Sequence, residues 1–209
     1  IDGVGASGKT VLADELGAEL SGMGRSVIRA SIDGFHNPRE VRHRSGATSP
    51  EGYLKEHFDY DALLSVLLRP LGPGGSLKYR KTVFDFRTDT RVDTCTRTAC
   101  AEAVLLFDGI FLLRPELDGA WDFSVFVEAR FDVTLARALV RDLDLFGSEQ
   151  AVRERYLLRY IPGESLYLDR YGPGERAHVV VVNNEPEKAQ LVWRERRPRG
   201  EPAAGSAPV

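Results

Sequence analysis

The first ten residues, Ile1-Asp-Gly-Val-Gly-Ala-Ser-Gly-Lys-Thr10, contain the pattern G-x-x-x-x-G-K-T from Gly3 to Thr10. This pattern is typical of a phosphate-binding loop (P-loop) between a strand and a helix. Its glycines let the backbone turn so that successive N–H groups form a concave anion nest, and the next helix directs its positive end there. The stretch therefore predicts a nucleoside triphosphate site at the start of an α/β domain.

The predicted nucleotide site combines backbone groups with two side chains that have separate tasks. Lys9 can reach the β- and γ-phosphates, and the Thr10 hydroxyl can ligate the Mg²⁺ that accompanies ATP. The loop residues expected to bind the nucleotide are Gly3, Gly5, Ala6, Ser7, Gly8, Lys9 and Thr10. Because a P-loop follows a buried strand and only two residues precede Gly3, we expect further strand residues upstream.

The same glycines also match G-x-G-x-x-G, the fingerprint of a dinucleotide-binding loop. A dinucleotide site has no use for a Lys-Thr pair directly after the last glycine. The presence of Lys9 and Thr10 therefore favours the P-loop interpretation.

Composition limits the classes of protein that the chain could belong to. Its 209 residues, 43% hydrophobic and 28% charged, suit one α/β domain with a sizeable core. With 28 Lys and Arg against 31 Asp and Glu, it lacks the basic excess of a general nucleic-acid binder. It shows no membrane-length apolar run or secretory signal, and Cys95 and Cys100 lack partners at metal-site spacing. We expect a cytoplasmic protein with reduced thiols, no nucleic-acid or membrane partner, and an oligomeric state that the sequence leaves open, homo-oligomers included.

Apolar periodicity predicts an alternation of helices and strands. The predicted strands span residues 25–32, 103–107, 123–127 and 179–182, the last being the final strand. The predicted helices span residues 11–20, 60–68, 131–141 and 149–159, with a short helix that Ser49 caps and Pro50 begins. Residues 37–50 are expected to form a loop with one helical turn. Arg69-Pro70 is expected to end the helix of residues 60–68, and residues 161–176 to form an irregular connection around Pro162 and Gly163.

Acidic residues follow two of the predicted strands. Asp33 lies just past the strand of residues 25–32, and Asp108 closes the apolar run 103–107. Functional residues collect at the carboxyl ends of parallel strands. Asp108 is therefore predicted to hold the Mg²⁺ shell opposite Thr10, as a Walker B aspartate does. For Asp33 the alternatives at this point are a catalytic carboxylate and a turn or cap residue.

Three segments are expected to surround this centre. Residues 76–98 alternate without helical period and predict a small antiparallel flap around 85–91. Residues 137–160 predict a helical lid in which Arg137 and Arg141, one turn apart, stabilise phosphate charge. The predicted domain spans residues 1–193, followed by a disordered tail over 194–209 that is rich in Pro, Gly and Ala.

The ordered motifs from Gly3 to about Asn183 resemble the uridine kinase/phosphoribulokinase group of P-loop kinases. The motifs that carry this resemblance, besides Gly3–Thr10, are Asp33-Gly-Phe-His36, Ser49-Pro-Glu-Gly-Tyr-x5-Asp59, Pro70-Leu-x-Pro-Gly-Gly75, Tyr79-x5-Asp85, Asp108-Gly-Ile110 and Arg137-x3-Arg141. The resemblance implies a three-layer α/β/α fold with a mostly parallel sheet. It also implies transfer of the γ-phosphoryl group of ATP to a hydroxyl, in uridine kinases the nucleoside 5′-hydroxyl.

The resemblance also implies roles for individual residues. Asp33 matches the catalytic carboxylate, Arg141 a lid arginine, and Asp59 a residue that contacts the ribose hydroxyls of the acceptor. The residues that fall where the family builds its acceptor pocket are His36, Phe58 and the flap residues Phe84, Asp89 and Arg91.

Two departures from the family pattern bear on the acceptor. Asp89 stands where uridine kinases usually carry a histidine that reads the base, and Asp108 replaces a more usual Glu. The segment Asp144-Leu-Phe-Gly-Ser148 also lacks the further lid arginines of the family. Three hypotheses follow: a uridine/cytidine-type nucleoside kinase, a kinase of another small hydroxyl metabolite, or an ATP-binding switch that transfers nothing. Asp33 argues against the switch, because a switch needs no carboxylate beside the γ-phosphate.

Overall fold

Ten strands and ten α-helices make up the computed structural model, which describes residues 1–194. The strands are β1 (Asp2–Gly3), β2 (Val27–Ser31), β3 (Lys78–Tyr79), β4 (Phe84–Asp85), β5 (Thr90–Arg91), β6 (Arg97–Thr98), β7 (Val104–Asp108), β8 (Val125–Glu128), β9 (Val179–Val182) and β10 (Gln190–Trp193). The helices are α1 (Lys9–Gly22), α2 (Arg39–Arg42), α3 (Pro50–Glu56), α4 (Tyr60–Leu63), α5 (Arg69–Leu71), α6 (Phe131–Arg141), α7 (Leu143–Phe146), α8 (Glu149–Arg155), α9 (Ile161–Tyr171) and α10 (Pro173–Arg176). Single turns of 3₁₀ helix span Ile32–Phe35, Pro115–Leu117 and Pro186–Lys188, and π-helical segments span Leu64–Leu68 and Tyr156–Tyr160.

A mostly parallel sheet lies at the centre of the fold. β2 pairs with β7, and β1, β8 and β9 pair in that order, all in parallel, while β10 adds an antiparallel edge to β9. Ile1 joins the two groups, because its nitrogen donates to the Phe107 carbonyl at 2.8 Å and its carbonyl accepts from Gly109 N–H at 3.1 Å. The strand order is therefore β2-β7-β1-β8-β9-β10.

Helices cover both faces of this sheet. Successive side chains of a strand point to opposite faces. In β8 and β9, Phe126 and Val180 belong to the main core with Tyr167 of α9, whereas Val127 and Val181 form a second cluster against Leu12 of α1. The fold is thus a P-loop three-layer α/β/α arrangement, and the near-continuous apolar runs of the strands follow from burial on both faces.

Most predicted elements are confirmed. Helix α1 begins at Lys9, and the predicted cap of α3 is present, since Ser49 Oγ accepts from Gly52 N–H at 3.0 Å. The loop over 37–50 holds one short helix, α2. The flap consists of the antiparallel hairpin β4–β5, to which the structure adds the pair β3–β6.

The prediction of an irregular connection over 161–176 is wrong. Helix α9 runs from Ile161 to Tyr171 directly after the π-helical segment, with Pro162 in its first turn. A π segment disrupts the regular hydrogen-bond ladder, so a proline there costs little. Gly163 has a packing role, because a Cβ at this position would lie 2.7 Å from the Tyr53 ring and 2.9 Å from the Pro50 carbonyl. The Pro-Gly pair therefore lets α9 approach α3 closely instead of ending the helix.

Two further expectations need correction. The helix of residues 60–68 was expected to end at Arg69-Pro70, but a π segment again precedes the proline and the helix continues through α5 to Leu71. The strand β10 follows the predicted last strand, and all four of its residues are exposed, so no burial pattern marks it in the sequence. The predicted tail over 194–209 lies, apart from Arg194, outside the described residues.

Helices long and apolar enough to cross a membrane do not occur among residues 1–194.

A buried polar contact joins β1 to α9. Asp2 is 1% exposed, and its carboxylate accepts from the N–H groups of Gly3 at 2.7 Å and Leu113 at 3.0 Å. The Tyr167 hydroxyl donates to the same carboxylate. A buried carboxylate needs such donors because it has lost its hydration. This contact holds the sheet strand that leads into the P-loop against α9.

We predict that Tyr167→Phe lowers the free energy of unfolding by about 1–3 kcal/mol, because Asp2 loses a hydrogen-bond donor. The phenylalanine ring keeps the contact with Phe111, whose ring centroid lies 5.1 Å away. Urea unfolding of the variant and the wild type measures the difference. Identical unfolding midpoints and slopes would show that the hydroxyl contributes nothing.

Candidate functional site

The predicted phosphate-binding loop connects β1 to α1 at the carboxyl edge of the parallel sheet. Gly8 precedes the first residue of α1 and has φ 102°, a left-handed conformation that favours glycine. A Cβ there would also lie 2.5 Å from Asn183 Nδ2. No side chain caps this helix start, so its first N–H groups stay available for an anion.

The loop contains a buried polar atom without a partner. Ser7 is fully buried, and its Oγ has no hydrogen-bond partner among residues 1–194. The preceding residue, Ala6, has φ 55°, which is uncommon for a residue with a Cβ. Such backbone strain is characteristic of ligand clamps. An unsatisfied hydroxyl in a left-handed turn beside an uncapped helix start fits a phosphate ligand.

Lys9 lies within the loop. It is 8% exposed, and its Nζ donates to the Val4 carbonyl at 2.6 Å. Burial lowers the pKa of Lys9, with the charges of Glu164 and Asp2 acting in the opposite direction. The ammonium group is therefore held close to the position where the loop would receive phosphate, at an electrostatic cost that an anionic ligand would offset.

Thr10 and Asp108 meet as the motif spacing predicts. Thr10 Oγ1 donates to Asp108 Oδ2 at 2.7 Å, and Asp108 is 2% exposed. Arg29 of β2 donates to the other carboxylate oxygen, Oδ1, at 3.1 Å and to Asp14 at 2.9 Å. A hydroxyl and a carboxylate side by side suit Mg²⁺, which is usually bound by one or two protein oxygens together with substrate phosphates. Residues 1–194 contain no group of three or more His, Cys, Asp or Glu that could hold a metal ion.

Asp33 lies at the same edge of the sheet as Asp108. The β2–β7 register pairs Ser31 with Asp108, and Asp33 follows Ser31 by two residues, in the 3₁₀ turn Ile32–Phe35. The residue is exposed, and within residues 1–194 no hydrogen bond or ion pair engages its carboxylate. Its main chain is held instead, with N–H donating to Ser31 Oγ at 3.3 Å and the carbonyl 2.9 Å from His36 Nδ1. The side chain is thus available to a ligand.

The two lid arginines predicted to stabilise phosphate charge differ in their contacts. Arg137 donates to the carbonyls of Asn183 at 2.9 Å and Asn184 at 3.1 Å, and approaches the Ser7 carbonyl at 3.5 Å. It thus supports the P-loop through backbone groups. Arg141 donates to Asp142 at 2.7 Å and to the Tyr156 hydroxyl at 3.0 Å.

The residues assigned to the acceptor pocket separate into two groups. His36 and Phe58 are buried, and their tilted rings lie 4.8 Å apart between centroids, with the ring of Phe86 of the flap 4.6 Å from the His36 ring. Asp59 and Arg91 line a surface cavity of about 400 Å³ that also borders α4 and the flap.

Three of the assigned acceptor residues have structural contacts of their own. Asp59 caps α4, since its Oδ1 accepts from Ala62 N–H at 2.8 Å, and Phe84 is buried in β4. Asp89 has φ 55°, and its Oδ1 accepts from the Arg39 N–H at 2.9 Å and from Arg42 Nη2 at 2.8 Å. Both contacts use the Oδ1 oxygen of the Asp89 carboxylate, and they join the flap to α2.

Sequence reasoning missed three residues near the P-loop. They are Arg29, Asn183, whose Nδ2 donates to the Ser7 carbonyl at 2.7 Å, and Glu164, whose Oε1 accepts from Gly5 N–H at 2.9 Å. None belongs to a local motif, so spacing gives no signal for them. Glu164 was hidden further by the incorrect prediction around Pro162.

A sequence model of the phosphoribulokinase / uridine kinase family matches residues 1–200. The chain belongs to this family. Uridine-cytidine kinase A of Dictyostelium discoideum is 30% identical over 205 residues, which cover 93% of this chain but 39% of that relative. The uridine kinase of Leuconostoc citreum is 26% identical over 87% of this chain and 84% of its own length.

A solved structure gives the same result. The structure of a possible uridine kinase from Bacillus stearothermophilus has a TM-score of 0.64 and 26% identity, and the match covers 86% of this chain and 84% of that one. As a member of the phosphoribulokinase / uridine kinase family, the protein is a P-loop small-molecule kinase, in agreement with the resemblance seen in its motifs.

The buried Glu164 makes stability depend on pH. Burial raises its pKa to about 7 from an ordinary 4.5, against the opposing effects of the Gly5 N–H and Lys9. Folding therefore favours the protonated form. The stability that this form provides is fully present below about pH 4.5, and it is lost as the pH rises through 7.

We predict that the Glu164→Gln variant, which cannot ionise at this position, gains stability relative to the wild type as the pH rises. The difference in free energy of unfolding between variant and wild type should increase by about 3 kcal/mol from pH 4.5 to just above pH 7. Chemical denaturation at several pH values measures this difference. Asp169→Asn is the matched control, because Asp169 lies on the same helix and is exposed. A difference that does not change between the two pH values would contradict the prediction.

Proposed function

We propose that the protein transfers the γ-phosphoryl group of ATP to a hydroxyl of a small molecule, with the 5′-hydroxyl of a pyrimidine nucleoside as the first candidate acceptor. The observation that carries the proposal is the meeting of three groups at one edge of the sheet: the P-loop, the Thr10–Asp108 pair and the unengaged carboxylate of Asp33. The uridine kinase relatives support a nucleoside as the acceptor.

In this proposal each residue has one task. The loop from Gly3 to Thr10 binds the phosphates, with Lys9 turned from the Val4 carbonyl towards them. Thr10 and Asp108 would hold Mg²⁺, which would supply positive charge to neutralise the charge that develops on the transferred phosphoryl group. Arg137 supports the loop from behind, and Arg141 contributes positive charge from the lid.

Asp33 is proposed as the catalytic carboxylate. It accepts the proton of the acceptor hydroxyl while that oxygen bonds to the γ-phosphorus and the bond from the γ-phosphorus to the ADP oxygen breaks. The open position of Asp33 suits this task, since a general base must reach the proton that it removes. Its lack of a protein partner argues against a purely structural role as a cap.

We predict that Asp33→Asn lowers kcat by about 10²–10⁴-fold with ATP affinity unchanged, because the amide cannot accept the proton. Lys9→Ala is expected to abolish turnover by weakening phosphate binding. Steady-state kinetics and direct ATP binding separate the two effects, and Asp169→Asn is the control for loss of one charge. An Asp33→Asn variant with unchanged kcat but lower ATP affinity or thermal stability would assign Asp33 a structural role.

The second candidate is a kinase of another small hydroxyl metabolite. The observation that favours it is Asp89, which stands in place of the base-reading histidine and forms an ion pair with Arg42. An ionised carboxylate accepts hydrogen bonds but cannot donate them. Asp89 therefore suits an acceptor edge rich in N–H donors better than the uracil edge, which carries a carbonyl where cytosine has its exocyclic amine; a non-nucleoside with such donors would suit it as well.

We predict weak turnover of uridine relative to the best acceptor. ADP release from ATP, measured across cytidine, uridine, purine nucleosides and simple sugars, ranks the acceptors by kcat/KM. A wide preference for uridine would contradict this prediction. Tight ATP binding with no acceptor-dependent ADP release would instead favour a switch that transfers nothing.

A further inference from the structure

Glu164 of α9 lies against the P-loop and is 1% exposed. Its Oε1 accepts from Gly5 N–H at 2.9 Å, whereas Oε2 is buried and has no hydrogen-bond partner within the described part of the chain, residues 1–194. Burying a carboxylate without satisfying both oxygens is costly, and native proteins rarely do so. The phosphate-transfer chemistry proposed above does not use this residue.

The contact between Glu164 and the loop is built by close packing. A Cβ on Gly5 would lie 2.9 Å from Glu164 Oε1 and 3.6 Å from the Tyr156 hydroxyl. Gly163, the preceding residue of α9, is packed equally tightly against Tyr53. Glu164 therefore has little freedom to move away from the loop, and its charge state acts directly on the nucleotide site.

Charged and titratable groups face Glu164 from five elements. They are Asp2 before the loop, Lys9 of α1, Tyr53 of α3, Arg141 of α6 and Tyr156 of the π-helical segment. Among them Lys9 exerts the largest charge effect on Glu164. An ionised Glu164 would compete with a triphosphate for the charge of Lys9 and would repel the triphosphate, because like charges in a buried site interact strongly.

We propose that Glu164 is a positioning residue of the P-loop that acts in its protonated form. Oε1 holds Gly5 in place through its N–H, and the proton on Oε2 keeps the negative charge away from the phosphates. This inference rests on the proposed use of ATP and adds that ATP binding takes up a proton at Glu164 when the pH is high. It is independent of the identity of the acceptor.

The test measures direct binding of Mg²⁺-ATP by calorimetry, without an acceptor, at about pH 6 and about pH 8.5. Protonation of ATP itself affects the Kd of every variant equally, so its effect cancels when variants are compared at one pH. We expect the ratio of wild-type to Glu164→Gln Kd to be close to 1 at the lower pH and about 30 at the higher pH, since only the wild type must take up a proton. Asp169→Asn, with a charge removed from the exposed side of the same helix, is expected to follow the wild type.

A second variant separates the effect of the hydrogen bond to Gly5 N–H from the effect of the Glu164 charge. Glu164→Ala loses the acceptor for Gly5 N–H as well as the charge, so its Kd should exceed that of Glu164→Gln at both pH values. A thermal melt of each variant establishes that it is folded under the binding conditions. If the ratio of wild-type to Glu164→Gln Kd were the same at both pH values, the claim that Glu164 acts in its protonated form would be wrong. If Glu164→Ala and Glu164→Gln bound Mg²⁺-ATP with equal affinity, the claim that the hydrogen bond from Gly5 N–H positions the loop would be wrong.

Discussion

The parallel register that pairs Ser31 of β2 with Asp108 of β7 determines where the chemical groups of this protein lie. Side chains alternate along a strand, so a slip of one residue would turn Asp108 to the opposite face of the sheet. Ile1 extends the same ladder from β7 to the strand that enters the P-loop. Three strands therefore end at one edge, and their ends deliver Thr10, Asp108 and Asp33 to one place without any of the three being adjacent in sequence.

The surroundings of the P-loop divide its polar groups into two sets. Outward-facing groups are bound by the protein: Asn183 holds the Ser7 carbonyl, and Glu164 holds the Gly5 N–H. Within residues 1–194, no side chain caps the start of α1 or bonds to the Ser7 hydroxyl. Since buried polar groups are normally satisfied, this division marks the side of the loop that a ligand completes. The scaffold thus fixes the loop from behind and leaves its concave side to the phosphates.

The phosphate-binding half of the candidate site could be proposed from the sequence because its motifs are local. The glycine spacing, Lys9-Thr10 and an apolar run ending in Asp108 each carry a physical reason within a few residues. Arg29 and Glu164 could not be predicted, because Arg29 reaches Asp108, and Glu164 reaches Gly5 of the loop, only through tertiary packing. The error over α9 has the same origin: Pro162 and Gly163 resemble a break, whereas a preceding π segment and the close approach of Tyr53 make them part of a helix.

The part of the candidate site assigned to the phosphoryl acceptor is built on different principles. This difference explains why family membership specifies the phosphoryl donor more closely than the phosphoryl acceptor. Phosphates are bound by backbone groups and by a helix start, which depend on fold and tolerate changes of side chain. The residues assigned to the acceptor lie instead on loops and on the short hairpin β4–β5, and such connecting segments vary more among related proteins than the elements they join. Asp89 illustrates the consequence: in place of a histidine, it forms an ion pair with Arg42 and joins the flap to α2. One such exchange would alter both the hydrogen bonds offered to an acceptor and the contact between the flap and α2, while none of these contacts involves the loop Gly3–Thr10.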